Sequence, residues 1–312
     1  MKTKSKSYIR AACHSFGGAV CAGAVLLIVS SAQAQNLFVT DPHNGSVTEI
    51  TPGGVKSTFA SGIDTPGGSM GGLAFNSAGD LFMAENGSVN KIVEFTPGGV
   101  QSTFATGGLL SDPYGVAFNS AGDLFVANGV ANNIIKITPG GVQSTFASGL
   151  SDPYAQLAFN SAGDLFVVDN GNGSIVEITP GGVKSTFATG FNFYFGEAFN
   201  NAGDLFVSAA GDGDIIEITP GGVESIFKSG LGNGFSGLAF NSAGDLFVAG
   251  TGSGADISEI TPGGVESIFA SGFYQPNALA FAPQNVPDES STLGLLAVGT
   301  TALLGLRRKL TA

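Results

Sequence analysis

Two groups of side chains could do chemistry, and both emerge when the chain is laid against itself in register. Asp41, Glu85, Asn128 and Asp169 occupy one recurring position near a strand end, and Ser208 and Gly250 stand at that end in the last two copies. Oxygen-bearing side chains repeated in this way could ring a channel mouth, and several carboxylate and carbonyl oxygens are what a hard divalent cation such as calcium takes. Asp169-Asn170-Gly171-Asn172 and Asp212-Gly213-Asp214 could add to that set. The competing explanation is plain turn chemistry, because Asx and Gly gather in any tight loop. Glu197 is the sharper anomaly, since the other copies place Leu73, Val116, Leu157, Leu238 and Leu279 where it stands. A carboxylate in a row of hydrophobes needs a partner. Metal ligation, or work as a general base of raised pKa, would give Glu197 a reason to be there; so would an outlet to water in a central channel.

Aromatic residues gather just ahead of the same hydrophobic row: Tyr114, Tyr154, Tyr194, Phe235 and Tyr274. Sugar rings stack on such surfaces, so an acidic, aromatic rim suits a neutral glycan or a peptide, although Asp112-Pro113-Tyr114 and Asp152-Pro153-Tyr154 also read as one repeated turn with a buried ring. His43 is the one histidine beyond residue 34. With it alone no Ser-His-Asp triad can be assembled, and neither a phosphate loop nor a histidine-bearing zinc motif is present.

The elements that must position these residues follow from six copies of TPGGV, whose prolines stand at 52, 97, 139, 180, 220 and 262. A period of 40 to 45 residues supplies four short antiparallel strands, the content of one propeller blade. Each unit opens with a strand such as Gly72 to Phe75, turns through NSAG and returns as DLF, a connection used at 76, 119, 160, 200 and 241. A third strand alternates polar with apolar residues, as in Ile175-Val176-Glu177-Ile178, and TPGG leads into a fourth whose polar start (Lys56, Gln101, Gln143, Lys184, Glu224, Glu266) suits a guarded outer edge. The first unit lacks its opening strand and an orphan opener, Ala278 to Phe281, follows the last. The prediction is an all-β, six-bladed β-propeller in which the two chain ends share a blade and Leu279 and Phe281 lie beside Leu37 and Val39. NSAG and TPGG turns then share a constant face, whereas the loops that differ between copies share the other, where a site is expected.

The tryptophan-based WD signature is absent, and the pattern resembles NHL repeats from Gln35 to Pro283. That resemblance implies the propeller and leaves function open among binding proteins, lactonases and lyases.

The bulk properties narrow the setting. Of 12 lysines and arginines, Lys2, Lys4, Lys6 and Arg10 open the chain and Arg307, Arg308 and Lys309 nearly close it, while the 24 carboxylates all lie from Asp41 to Glu289. The acidic body would repel nucleic acid and anionic membranes. Residues 1–34 read as a secretory signal peptide: a cationic start, an apolar stretch, and Ala32-Gln33-Ala34 as the cleavage site. Both cysteines fall within it, so the mature chain would carry no thiol and no disulfide. Residues 284–312 hold Val286-Pro287-Asp288, an apolar run from Thr292 to Leu306 and the basic cluster Arg307-Arg308-Lys309. At 15 residues that run is shorter than the ~20 that cross a bilayer comfortably. The three features together resemble a PEP-CTERM sorting tail of the VPD kind. The resemblance implies an exosortase-type processing enzyme as partner, transient association with the inner membrane, and delivery to the envelope or extracellular matrix of a Gram-negative bacterium; a plain membrane anchor is the alternative.

The expected protein is a secreted monomer that binds a surface glycan or protein, with a divalent cation, calcium, as the one cofactor considered. The alternative is a metal-dependent enzyme similar to gluconolactonases or streptogramin lyases, with Glu197, Asn128 and Asp169 as ligands, although it lacks the histidine that a lyase resemblance would require.

Overall fold

The computed structural model describes residues 35–63, 70–87, 89–190, 194–209, 211–231, 234–250 and 255–284. It is a six-bladed β-propeller, each blade a four-stranded antiparallel sheet. Blade 1 joins Leu37–Asp41, Ser46–Ile50 and Lys56–Ser61 to the C-terminal strand Leu279–Phe281. Blade 2 runs Met70–Phe75, Leu81–Glu85, Lys91–Phe95, Gln101–Thr106, and blade 3 Pro113–Phe118, Leu124–Asn128, Asn133–Ile137, Gln143–Ser148. Blade 4 runs Leu157–Phe159, Leu165–Asp169, Ser174–Ile178, Lys184–Thr189, and blade 5 Tyr194–Phe199, Leu205–Ala209, Asp214–Ile218, Glu224–Lys228. Blade 6 runs Phe235–Phe240, Leu246–Gly250, Ile257–Ile260, Glu266–Ala270. Among the described residues there is no α-helix, and none is long and apolar enough to cross a membrane.

The ring closes as the sequence predicts. Leu37 lies opposite Phe281 and Val39 opposite Leu279. The seam is reinforced by the Thr40 hydroxyl, which accepts from the Ala278 N–H at 2.9 Å, and by the Gln35 side-chain amide, which donates to the Ala282 carbonyl at 2.7 Å. Such closure hides the sheet edges that an open array would leave free to pair.

Phenylalanine does the packing between blades. The Phe of each DLF-type segment meets one Phe from its own outer strand and one from the inner strand of the next blade, edge to face, as Phe166 does with Phe187 and Phe199 at 5.0 and 4.9 Å. The outer member comes from a bulge: Ile175 pairs with Ala188 but Val176 with Thr186, so Phe187 is the extra residue and its ring is turned inward. All six blades share this bulge. Inner strands follow one another around the axis and nearly touch. A Cβ on Gly115 would sit 2.0 Å from the Ala155 carbonyl oxygen, and one on Gly196 2.0 Å from that of Ser236, so only glycine fits there.

The constant face is built by local bonds. In each NSAG-type turn the Asn side-chain oxygen accepts from two backbone N–H groups, as Asn160 does from Ala162 and Asp164 at 2.9 Å, and Gly163 adopts φ +89°. The outer-strand polar residues do more than guard an edge. Lys56 and Lys184 donate to carbonyls at the end of the preceding blade, Gln143 accepts from Leu109 N–H, and Glu266 pairs with Lys228 at 3.1 Å.

Candidate functional site

The variable face carries the residues singled out above, and the structure assigns them different work. Asp41 is buried and its carboxylate accepts from the backbone N–H groups of Tyr274 at 3.1 Å and Gln275 at 3.3 Å, and from the Asn44 amide at 2.7 Å. Asp169 accepts from Ser151 N–H and from the Asn172 amide at 2.7 Å. Asn128 accepts from Ser111 N–H at 3.1 Å and donates to the Leu109 carbonyl at 2.8 Å. The pattern is one job done three ways: the last residue of the second strand holds down the loop that enters its own blade. In blade 5 that last position is Ala209; Ser208, one residue earlier, accepts at Oγ from Gly196 N–H at 2.8 Å, and Glu85, buried, pairs with Lys91 at 3.1 Å. The side chains are distributed one to a blade, and among the described residues no three His, Cys, Asp or Glu side chains converge on a point where an ion could be held.

Glu197 sits on the inner strand of blade 5 opposite Val207 and is 3% exposed. Both carboxyl oxygens lack a hydrogen-bond partner. The apolar clusters at the other blade junctions each contain the residue that Glu197 replaces, Leu73, Val116, Leu157, Leu238 or Leu279. The cluster of Phe166, Val168, Leu205 and Val207 between blades 4 and 5 does not. Desolvation pushes the Glu197 pKa well above the usual carboxylate range; the Ala158 N–H, which faces it outside hydrogen-bond geometry, offsets this only in part. Burial of this kind favours the protonated, neutral form of the carboxyl.

The aromatic residues divide. Tyr114 is a cross-brace: its hydroxyl donates to the Asn277 side-chain oxygen at 3.1 Å, and the Asn277 amide in turn donates to the Met70 carbonyl at 2.8 Å, joining blades 3, 1 and 2 across the channel mouth. Burial raises the Tyr114 pKa, opposed by that hydrogen bond. The Tyr154 hydroxyl donates to the Asp112 carboxylate, whose pKa desolvation raises, and its ring meets Tyr114 edge-on at 5.8 Å. Asp112 and Asp152 both take positive φ, 58° and 60°, so the two Asp-Pro-Tyr segments are one repeated turn. Tyr274 differs, being 61% exposed and stacked on His43 at 3.6 Å. Tyr194 and Phe235 open the inner strands of blades 5 and 6. Ala32, Ala34, Val286, Pro287, Asp288, Arg307, Arg308 and Lys309 lie outside the described residues.

Sequence reading missed Gln156 and Ser236. The Gln156 side-chain oxygen reaches two blades on to accept from Leu238 N–H at 3.2 Å, past the glycine at 196, and the Ser236 hydroxyl donates to the Asn277 carbonyl at 2.9 Å. The signal was present, because Gln156 stands where the copies read Gly72, Gly115, Gly196 and Gly237.

These features place the chain among known propellers by shape alone. Virginiamycin B lyase from Staphylococcus aureus superposes with a TM-score of 0.61 at 19% identity, over 82% of this chain and 93% of that one. A chain of the nidogen/laminin complex gives 0.68 at 15% identity, over 80% and 99%. A Bacteroides caccae protein of unknown function gives 0.63 at 14%, over 80% and 99%. At these identities the likeness establishes the fold. No protein-family model and no curated protein matches the chain.

Proposed function

We propose that this protein is a secreted or surface-sorted binding and structural protein of the envelope or exopolysaccharide matrix of a Gram-negative bacterium, and that it presents its variable face to a glycan or protein. The observation that carries this reading is how the oxygen-rich residues of that face are used. Asp41, Asn128 and Asp169 are committed to backbone N–H groups of the entering loops, which leaves a stiff platform and, among the described residues, no cluster of three His, Cys, Asp or Glu side chains. A preorganised surface loses little entropy on binding. Tyr274 offers an exposed ring on it.

The placement of the chain ends agrees. Ala282 N–H donates to the Asn36 carbonyl at 3.0 Å beside the TPGG turns, so segments 1–34 and 285–312 attach at the constant side.

The rival enzyme reading draws on the lyase neighbour, known also as a catalytically inactive histidine-to-alanine variant with quinupristin. In this chain His43 is stacked on Tyr274 at the rim, and Glu197 stands without a second carboxylate. The nidogen/laminin neighbour supports a binding role for such a scaffold. The test is retention of the purified protein by surface polysaccharides and envelope proteins of its source cells, with Tyr274→Ala alongside. Retention weakened by that change is expected. A parent protein that retains nothing, or that turns over a lactone or a cyclic depsipeptide, would overturn the reading.

A further inference from the structure

We infer that the seam where the ring closes holds a binding subsite for one neutral sugar ring, a site that rests on the glycan-binding reading above and gives it an address. A cavity of about 200 Å³ opens there between blades 6 and 1, lined by Asp41, Asn44, Ser46, Thr48, Lys56 and Phe273, with the Ser57 and Thr58 hydroxyls at its edge. Drug-sized ligand pockets run from ~300 Å³ upward, so this one suits a single ring.

Its origin is legible in the repeat. At three other junctions a loop aliphatic packs on a branched residue of the third strand: Ile63 with Val93, Leu110 with Ile135, and Leu150 with Val176 share their apolar clusters. At the seam the same two places hold Phe273 and Thr48. Threonine does not fill the space as valine or isoleucine does and brings a hydroxyl to it. The Lys56 ammonium lies over the Phe273 ring, 4.6 Å from its centroid, and also donates to the Ser271 carbonyl.

The wall therefore combines a half-buried aromatic ring, capped on one face by Lys56, with hydroxyls that bond nothing within the protein, those of Ser46, Thr48, Ser57 and Thr58. A pyranose presents the complement: an apolar C–H face and a rim of hydroxyls that both donate and accept. Tyr274, following Phe273, and His43, preceding Asn44, extend the aromatic surface outward for the next ring of a chain. Charge favours the neutral class, because the Asp41 carboxylate and the Lys56 ammonium both lie in the wall and offset one another.

The experiment is a ligand-observed NMR titration of the full chain with methyl glycosides of glucose, galactose and mannose, with glucuronate as the anionic arm. Thr48→Val installs the branched aliphatic type that blades 2 to 5 carry there (Val93, Ile135, Val176, Ile216) and should weaken the neutral sugar at least tenfold while leaving Tm unchanged or raised. Thr145→Val, on the outer strand of blade 3, should bind as the parent does. Sugar that binds the Thr48→Val variant as well as the parent overturns the seam and leaves the glycan reading standing. Glucuronate bound more tightly than every neutral sugar overturns the neutral assignment. If no sugar binds the parent and no surface polymer retains it, the underlying reading falls as well.

Discussion

The two ends of the propeller solve the same problem with opposite habits. On the constant side one device recurs without change: Asn76, Asn119, Asn160, Asn200 and Asn241 each accept from the backbone of their own turn. On the variable side the loops entering blades 1, 3 and 4 are held by Asp41, Asn128 and Asp169, and at blade 5 Ser208 braces the inner strand itself. Variation between copies is thus not in itself a mark of binding or catalysis. What marks a candidate site is variation that leaves something over: the free hydroxyls beside Thr48, the exposed ring of Tyr274, the unpartnered carboxyl of Glu197.

If a repeated side chain means equivalent work, the phenylalanine junctions should be interchangeable. Phe82→Ala, Phe166→Ala and Phe247→Ala, each at a junction of three rings, should each cost about 3–5 kcal/mol in urea unfolding. A member of this set costing under about 1 kcal/mol would break the equivalence.

Glu197→Leu tests the opposite case, where one copy departs from the repeat. Replacing the buried carboxyl by the leucine of its neighbours should stabilise the fold by about 1–3 kcal/mol at pH 7. The sign with pH follows from the raised pKa. An unfolded chain releases this proton near pH 4.5, whereas the folded one keeps it well beyond, so between those points the folded state binds the extra proton. Stability then falls as pH rises, by about 1.4 kcal/mol per unit, until the folded pKa is reached. Glu197→Leu and Glu197→Gln should both flatten that slope, and a parent whose stability runs parallel to theirs from pH 5 to pH 8 would contradict a buried neutral acid.

Much of this was legible in the residues because repetition makes backbone demands visible. TPGGV and NSAGD fix turns, their spacing fixes four strands, and the unpaired ends at Asn36 and Phe281 fix the closure. Glu197 was legible as an intruder for the same reason. Partners were not. Nothing local in Asp41 or Asp169 tells that a loop amide from the chain segment leading into its blade will occupy it, and in the bare sequence a clamp and a metal ligand look alike. Tyr114 and Tyr154 read as a rim because their bonds to Asn277 and Asp112 lie 163 and 42 residues away.

The clamps come next in size. Asp169→Ala should cost about 1–3 kcal/mol by orphaning Ser151 N–H, and should speed hydrogen exchange in the loop from Ser151 to Pro153. Asp169→Asn, which keeps an acceptor, should recover most of the loss. Were the residue an idle metal ligand, the two variants would be equally harmless without metal, so near-parent stability for both would restore the cation reading that the bonding now argues against.

The smallest effect tests whether the repeat's logic can be transferred. Lys184 on the outer strand of blade 4 donates to the carbonyls of Ser148 and Gly149, whereas Glu224, the same position in blade 5, makes no such contact among the described residues. Glu224→Lys should therefore reach the carbonyls of Thr189 and Gly190, moving the net charge from −12 to −10 as one acid is lost and one base gained. An exposed clasp of this kind is worth under about 1 kcal/mol. A small rise in Tm that survives high salt would identify the carbonyl contact, since relief of acidic repulsion alone is screened away.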